Sequence, residues 1–211
     1  MERSTQAERW FNEGLRHLEA RDPQKALAAF EQAEALYRVL IADSQLQYRP
    51  DLAGTLGNGG NALQELNRCK EALARYEEAT GIYRALIVAS EPQHRRNLAI
   101  VRVNEANALA ELHRPREALV RCRYAARIFR ALIGEGQLEG RPDLAGARTN
   151  EGIALCDLNR PSEALPCFEE VTKIYRDLLG ENQPQYRPDL ARTRMHEGNA
   201  LCDLNRPSEA L

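Results

Sequence analysis

The 211-residue sequence has no long apolar run, no excess of charge of either sign and no paired-cysteine motif. Each absence removes a class of protein. No segment approaches the roughly 20 apolar residues of a membrane-spanning helix, and the N-terminal "MERSTQAERWFNEGL" has no apolar signal core. Lys plus Arg number 29 against 31 Asp plus Glu, so the basic footprint of a nucleic-acid binder is missing. The cysteines, Cys69, Cys122, Cys156, Cys167 and Cys202, are odd in number and show no CxxC spacing. That excludes a disulfide framework or a cysteine zinc site and fits reduced thiols in the cytoplasm. The four histidines stand in unrelated contexts without an HExxH, so nothing points to a metal, a cofactor or acid–base catalysis, and the chain reads as a non-enzyme.

What the sequence does contain is a repeat. "AGTLGNGGNALQELNRCKEAL" at 53–73 returns 46 residues later as "AIVRVNEANALAELHRPREAL". It returns again at 145–165 and 191–211, and a weaker first copy occupies 8–27. A fixed period of this size is the mark of stacked supersecondary units that cannot bury their apolar faces alone. The units run approximately 4–48, 49–94, 95–140, 141–186 and an incomplete 187–211, read as one solenoid over 1–211.

Each unit reads as two helices. The first opens near a Pro-Asp pair such as Pro50-Asp51, which suits a helix N-terminus. It continues through Leu52, Leu56, Gly60 and Leu63 at helical spacing. "LNR" breaks it, and Pro115, Pro161 and Pro207 restart the chain. The second helix, predicted at about 18–20 residues, carries the stripe Leu73, Tyr76, Ala79, Tyr83 and Leu86. Pro166, several residues into such a helix, predicts a kink or a delayed start. A polar connector follows.

The columns resemble the tetratricopeptide repeats. Trp10, Gly14, Ala26, Phe30 and Ala33 fit that helix–turn–helix signature in the first unit, and Leu56, Gly60, Ala72, Tyr76 and Ala79 fit it in the second. Cys122 takes the aromatic position in the third unit, and Arg102, Arg148 and Arg194 take the first large position later on. The unit is about 12 residues longer than the usual 34, as in the long-unit repeats of kinesin light chains and bacterial proteins. The resemblance implies an all-α fold, a right-handed superhelical solenoid whose first helices line a concave groove.

"GTLGNGG" at 54–60 would suggest a phosphate loop in isolation. Its columns hold Val103, Ala106, Thr149 and Met195 in other units, no strand precedes it and no Gly-Lys-Ser/Thr follows. It is therefore a glycine-heavy helix. Gly60 sits in a column that is small in every unit, whereas Gly54 and Gly57 have no packing reason visible in the sequence.

Carried over from the resemblance, the groove-facing residues form two asparagine ladders. One is Asn12, Asn58, Asn104 and Asn150, ended by His196, and the other is Asn61, Asn107 and Asn199. Asparagine is a mediocre helix former, and its amide both donates and accepts, which matches an extended peptide backbone. Gly54 and Gly57 would allow close approach. Phe11, Ile100, Val103 and Met195 would add apolar contact, and Glu65, Glu111, Asp157 and Asp203 would favour a basic or neutral ligand. The alternative is that the amides tie neighbouring helices together. The functional expectation is a scaffold binding a peptide or protein segment, with no nucleic acid and no membrane. The competing one is a sensor or regulatory arm of a larger protein. The incomplete last unit implies either such a fragment or self-association, with Leu201, Leu204 and Leu211 partly exposed.

Overall fold

A computed structural model describes residues 2–204, which fall into two compact units, Met1–Leu112 and His113–Leu211. Among the described residues the chain is all-α, with nine α-helices and no strand. The first unit holds α1 (Glu2–Glu19), α2 (Pro23–Ala42), α3 (Arg49–Glu65), α4 (Cys69–Val88) and α5 (Arg95–Glu111). The second holds α6 (Pro115–Gly134), α7 (Arg141–Asp157), α8 (Pro161–Gly180) and α9 (Arg187–Asp203). Within each unit consecutive helices pack together, and alternate helices also touch: α1 with α3, α3 with α5, and α7 with α9. No helix among the described residues is long and apolar enough to cross a membrane.

The four second helices α2, α4, α6 and α8 are each 20 residues long, as their stripes predict. The breaks between helices depend on residues in the left-handed backbone region. Asn67 (φ 59°) and Asn159 (φ 58°) occupy it in the "LNR" turns, where an asparagine side chain makes the conformation cheaper than most L-residues allow. A second left-handed residue follows each second helix: Ser44, Ser90, Gly136 and Asn182. The chain then makes a one-turn 3-10 helix at 46–48, 92–94, 138–140 and 184–186, an element the polar connectors did not announce. Its last side chain lies against the aromatic of the preceding helix. Tyr48 meets Tyr37, His94 meets Tyr83 and Tyr186 meets Tyr175, with ring centroids 5.7–6.0 Å apart.

Pairing within a repeat rests on an aromatic ring laid over a glycine. A Cβ on Gly14 would stand 2.5 Å from Phe30, and one on Gly152 would stand 2.6 Å from Phe168. On Gly60 it would overlap the ring of Tyr76. The column is small because the ring needs the space. Ala72, Ala118 and Ala164 are buried as their columns require.

The arginine columns have a polar counterpart. Arg102 pairs with the fully buried Glu105 at 2.7 Å, Arg148 pairs with Glu151, and Arg194 with Glu197 at 2.9 Å. In α3 the same two columns hold Leu56 and Gly59. There Arg75 of α4 runs close over Gly59, 3.0 Å from where a Cβ would stand, to reach Glu34 of α2 at 2.7 Å. The large apolar position became arginine together with an acid three residues on, one turn along the same face.

Two expectations need correction. Pro166 does not delay its helix: α8 begins at Pro161, and Pro166 and Ser162, whose carbonyl it leaves without an intrahelical donor, are both exposed to water. Leu201 is not left open, being only 7% exposed on α9, which packs against α8, whereas Leu204 is half-buried. Leu211 and Pro207 lie outside the described residues. The His196 ring, at the end of the first ladder, stacks on Phe168 at 5.7 Å and 16°, where burial and then Arg192 hold its pKa below the usual histidine value.

The glycines separate by this logic. Gly60→Ala forces the Tyr76 ring to move and should cost about 1–3 kcal/mol in denaturant unfolding. Gly81→Ala in α4, where a Cβ would meet nothing within 4 Å, should stabilise by up to about 1 kcal/mol.

Candidate functional site

In the first unit α1, α3 and α5 present one face to a cleft of about 310 Å³. α3 forms its floor through Ala53, Gly54, Gly57, Asn58 and Asn61. Asn97, Ile100, Val101 and Asn104 of α5 line it on one side, and Phe11 of α1 and Tyr83 of α4 complete the lining. A second lobe of about 230 Å³ adjoins it at the start of α3, where Tyr37, Pro50 and Asp51 join Phe11, Gly54, Tyr83 and Asn97.

The glycine-rich helix is what gives the cleft its depth. α3 is continuous from Arg49 to Glu65, so "GTLGNGG" is helix, not loop. Added Cβ atoms on Gly54 and Gly57 would stand 3.7 Å from the Tyr83 hydroxyl and from Val101, ordinary contact distances. Core packing therefore does not demand glycine at either position. Their missing side chains leave backbone as the floor of the cleft.

The asparagines fare differently from one another. Asn58 donates from Nδ2 to the Gly54 carbonyl of its own helix at 2.9 Å. Asn61 accepts at Oδ1 from the Tyr76 hydroxyl at 2.8 Å and from Asn104 Nδ2 at 3.0 Å. The Asn61–Asn104 bond crosses from α3 to α5, so at these two positions the alternative holds and the amides tie neighbouring helices together. Gln64 also lies 3.2 Å from the Tyr76 oxygen. One phenolic proton serves one acceptor, so with Asn61 taking it, Gln64 fits as an amide donor. The second ladder thus carries a structural duty at Asn61. The sequence held a signal for it: column 61 is Leu15 and Ile153 where the partner ring is Phe30 and Phe168, and asparagine where it is Tyr76.

Among the other expected site residues, Asn12 is exposed on α1. Val103, Asn107 and Glu111 lie on α5 outside the cleft lining, and Asn107 has a polar or charged partner of its own. Asn150, also partnered, is half-buried on α7, and Asp157 is exposed at that helix's end. Met195 and Asn199 are exposed on α9. These last four belong to the second unit and are not part of this cleft. Tyr37, Asp51, Tyr83, Asn97 and Val101 are lining residues that the groove columns did not include.

Electrostatically the small lobe is acidic. Burial and then Glu8 raise the Asp51 carboxyl above the ordinary aspartate value, with His94 pulling the other way. The Tyr37 phenol is pushed up to about 12 by burial, then by Asp51 and Glu8. Tyr83 is also raised by burial, although Asn97 donates to its oxygen at 3.4 Å.

Comparison with known families matches the tetratricopeptide repeat at residues 52–95 and 144–185. The matched segments are tetratricopeptide repeats. Solved structures that resemble the chain include ones described as having TPR or TPR-like repeats, at identities low enough that they speak for fold alone. The nearly identical TPR-like repeats described for a kinesin light chain of Podosopora anserina align over 100% of this chain and 92% of theirs, with TM-score 0.73 and 16% identity. YrrB, described as having an unusual peptide-binding site, aligns over 96% and 79%, with TM-score 0.57 and 20% identity. The Rap conjugation gene regulator of plasmid pLS20, solved with the Phr* peptide, has TM-score 0.64 and 16% identity. The match covers 95% of this chain and 49% of that one. A comparison with curated proteins finds no match to the sequence.

The two asparagine roles are separable by mutation. Asn104→Ala removes the α3–α5 bond and should cost about 0.5–1.5 kcal/mol in chemical denaturation. Asn58→Ala, whose bond stays within its own helix, should shift stability by no more than about 0.5 kcal/mol.

Proposed function

We propose that this chain is a non-catalytic interaction scaffold that binds an extended peptide segment in the cleft of α1, α3 and α5. Tetratricopeptide repeats are in general interaction scaffolds, and some of the similar structures are described with bound or bindable peptides. The observation that carries the reading here is the bare floor of the cleft. Gly54 and Gly57 weaken α3 by roughly 1 kcal/mol each relative to alanine, and no core contact needs them. A ligand backbone that must approach closely does need them. Asn58 flanks that floor with an amide oxygen that accepts no bond among the described residues. Each amide–backbone hydrogen bond would add about 0.5–1.5 kcal/mol.

A sensory or regulatory arm of a longer protein is the second reading. Its support is that two similar structures, aspartyl phosphate phosphatase F from Bacillus subtilis and the Rap regulator, are about twice the matched length. Both readings use the same cleft.

Panning the full chain against a library of extended peptides tests the cleft directly. Bound peptides should perturb the amide resonances of Gly54, Gly57 and the Asn58 side chain. Gly54→Ala with Gly57→Ala should raise thermal stability while weakening peptide binding at least tenfold. Unchanged affinity in that double variant, or binding that perturbs none of these residues, would overturn the reading.

A further inference from the structure

We propose that the small lobe at the start of α3 is an anchor site for one cationic side chain, lysine or arginine, of the bound peptide. The inference rests on the groove reading and assigns the chemistry of one position in its ligand. Five helices build the lobe: Phe11 comes from α1, Tyr37 from α2, Asp51 and Gly54 from α3, Tyr83 from α4 and Asn97 from α5. At about 230 Å³ it is several times the roughly 30 Å³ share of one water. It opens into the main cleft through shared walls at Phe11, Gly54, Tyr83 and Asn97.

Two independent observations set its chemistry. The first is an unspent polar group. Tyr37 is 4% exposed and lines the lobe, yet its hydroxyl makes no hydrogen bond among the described residues. Tyr83, 3% exposed, accepts from Asn97 and keeps its second lone pair and its proton. The second is the sign of the field. Asp51 is the charged residue in the lining, Glu8 of α1 acts on it from nearby, and neither Lys nor Arg lines the lobe. The helix N-terminus would by itself favour an anion. Pro50 offers no N–H there, and the Asp51 carboxylate already occupies that end.

An ammonium or guanidinium answers each of these features. It donates to the Asp51 carboxylate and to the phenol oxygens, while Phe11 meets the alkyl stem or the charge across its ring face. It also relieves the repulsion that Asp51 feels from Glu8. An acidic or phosphorylated side chain would add to that repulsion.

The pH dependence follows from the groups around Asp51: Glu8 from α1, Tyr37 from α2, Tyr83 from α4 and His94 from a 3-10 turn, with Tyr48 of the other turn behind Tyr37. α5 contributes the neutral Asn97. Asp51 loses its charge at a higher pH than an ordinary aspartate, so cation affinity should fade as pH falls through that raised value. A His94→Gln variant removes the neighbouring imidazole, so that the Asp51 contribution is read alone.

The experiment is an NMR titration of the full chain with Nα-acetyl-lysine methylamide and Nα-acetyl-arginine methylamide. The norleucine and glutamate analogues serve as controls. The cationic compounds should move the Gly54 amide and the Asn97 side-chain amide and bind at least fivefold more tightly than the norleucine analogue. Asp51→Asn should bring them down to the norleucine level, and Tyr37→Phe should weaken them several-fold. Asp51→Asn keeps the backbone carbonyl to which Thr55 donates at 2.8 Å, and its circular dichroism spectrum is to be compared with that of the parent chain as the check on folding. Equal binding of the norleucine analogue, or full cation affinity in Asp51→Asn, overturns the anchor. Library peptides that perturb Gly57 and Asn58 equally with Lys or Gln at the anchor position overturn the anchor alone. Cationic compounds that bind while no peptide does overturn the groove reading, and with it the anchor's role in a peptide.

Discussion

The contact on which the rest depends is an aromatic ring pressed flat against a residue with no side chain. Phe30 over Gly14, Tyr76 over Gly60 and Phe168 over Gly152 bring the two helices of a repeat closer than any Cβ would permit. That proximity fixes where the ring ends. In the second repeat it ends in a hydroxyl, which reaches the groove face and takes hold of Asn61. Asn61 in turn accepts from Asn104, so the core contact propagates into the spacing of α3 and α5. A packing rule inside one repeat thereby becomes the geometry of a cleft between repeats.

Glycine serves two opposed purposes in the same helix. Gly60 is required by the core, and Gly59 lets the Arg75 guanidinium cross to Glu34. Gly54 and Gly57 are required by nothing in the core, and they weaken a helix that is otherwise ordinary. Such a local sacrifice of stability at one surface is where a sequence departs from what folding alone would choose. It coincides with the cleft lined by α1, α3 and α5, the unspent Tyr37 hydroxyl and the raised Asp51 carboxyl.

Charge is distributed with comparable economy. The buried Arg–Glu pairs, Arg102–Glu105 and Arg148–Glu151, replace an apolar residue and a glycine used in the second repeat. Replacing a buried ion pair by packed apolar groups is often neutral in energy, so two solutions can alternate along one chain without altering the helix pair. The small lobe differs because its carboxylate has no cation of its own lining it. Asp51 is itself exposed, and an acid left without an arginine beside the lobe, in a protein whose buried Glu105 and Glu151 are both paired, marks the place where a ligand's charge would count.

The repeat, the helix pairs, the small columns and the second-helix lengths were all legible in the sequence. They follow from periodicity, which a linear string carries completely. The continuity of the glycine-rich helix was legible by column comparison for the same reason. Five of the expected site residues, Gly54, Gly57, Asn58, Asn61 and Asn104, do share the cleft, because 46-residue spacing puts them on one face of successive first helices. What a column cannot say is where an amide spends its hydrogen bonds. That depends on whether the ring 15 residues away ends in a hydroxyl, as Tyr76 does and Phe168 does not, and on how near the next helix lies. Tyr37 and Tyr83 were equally out of reach. As members of an apolar stripe they read as core, and only tertiary packing decided that their hydroxyl ends emerge beside Asp51, because side chains from five helices must converge before a lobe exists.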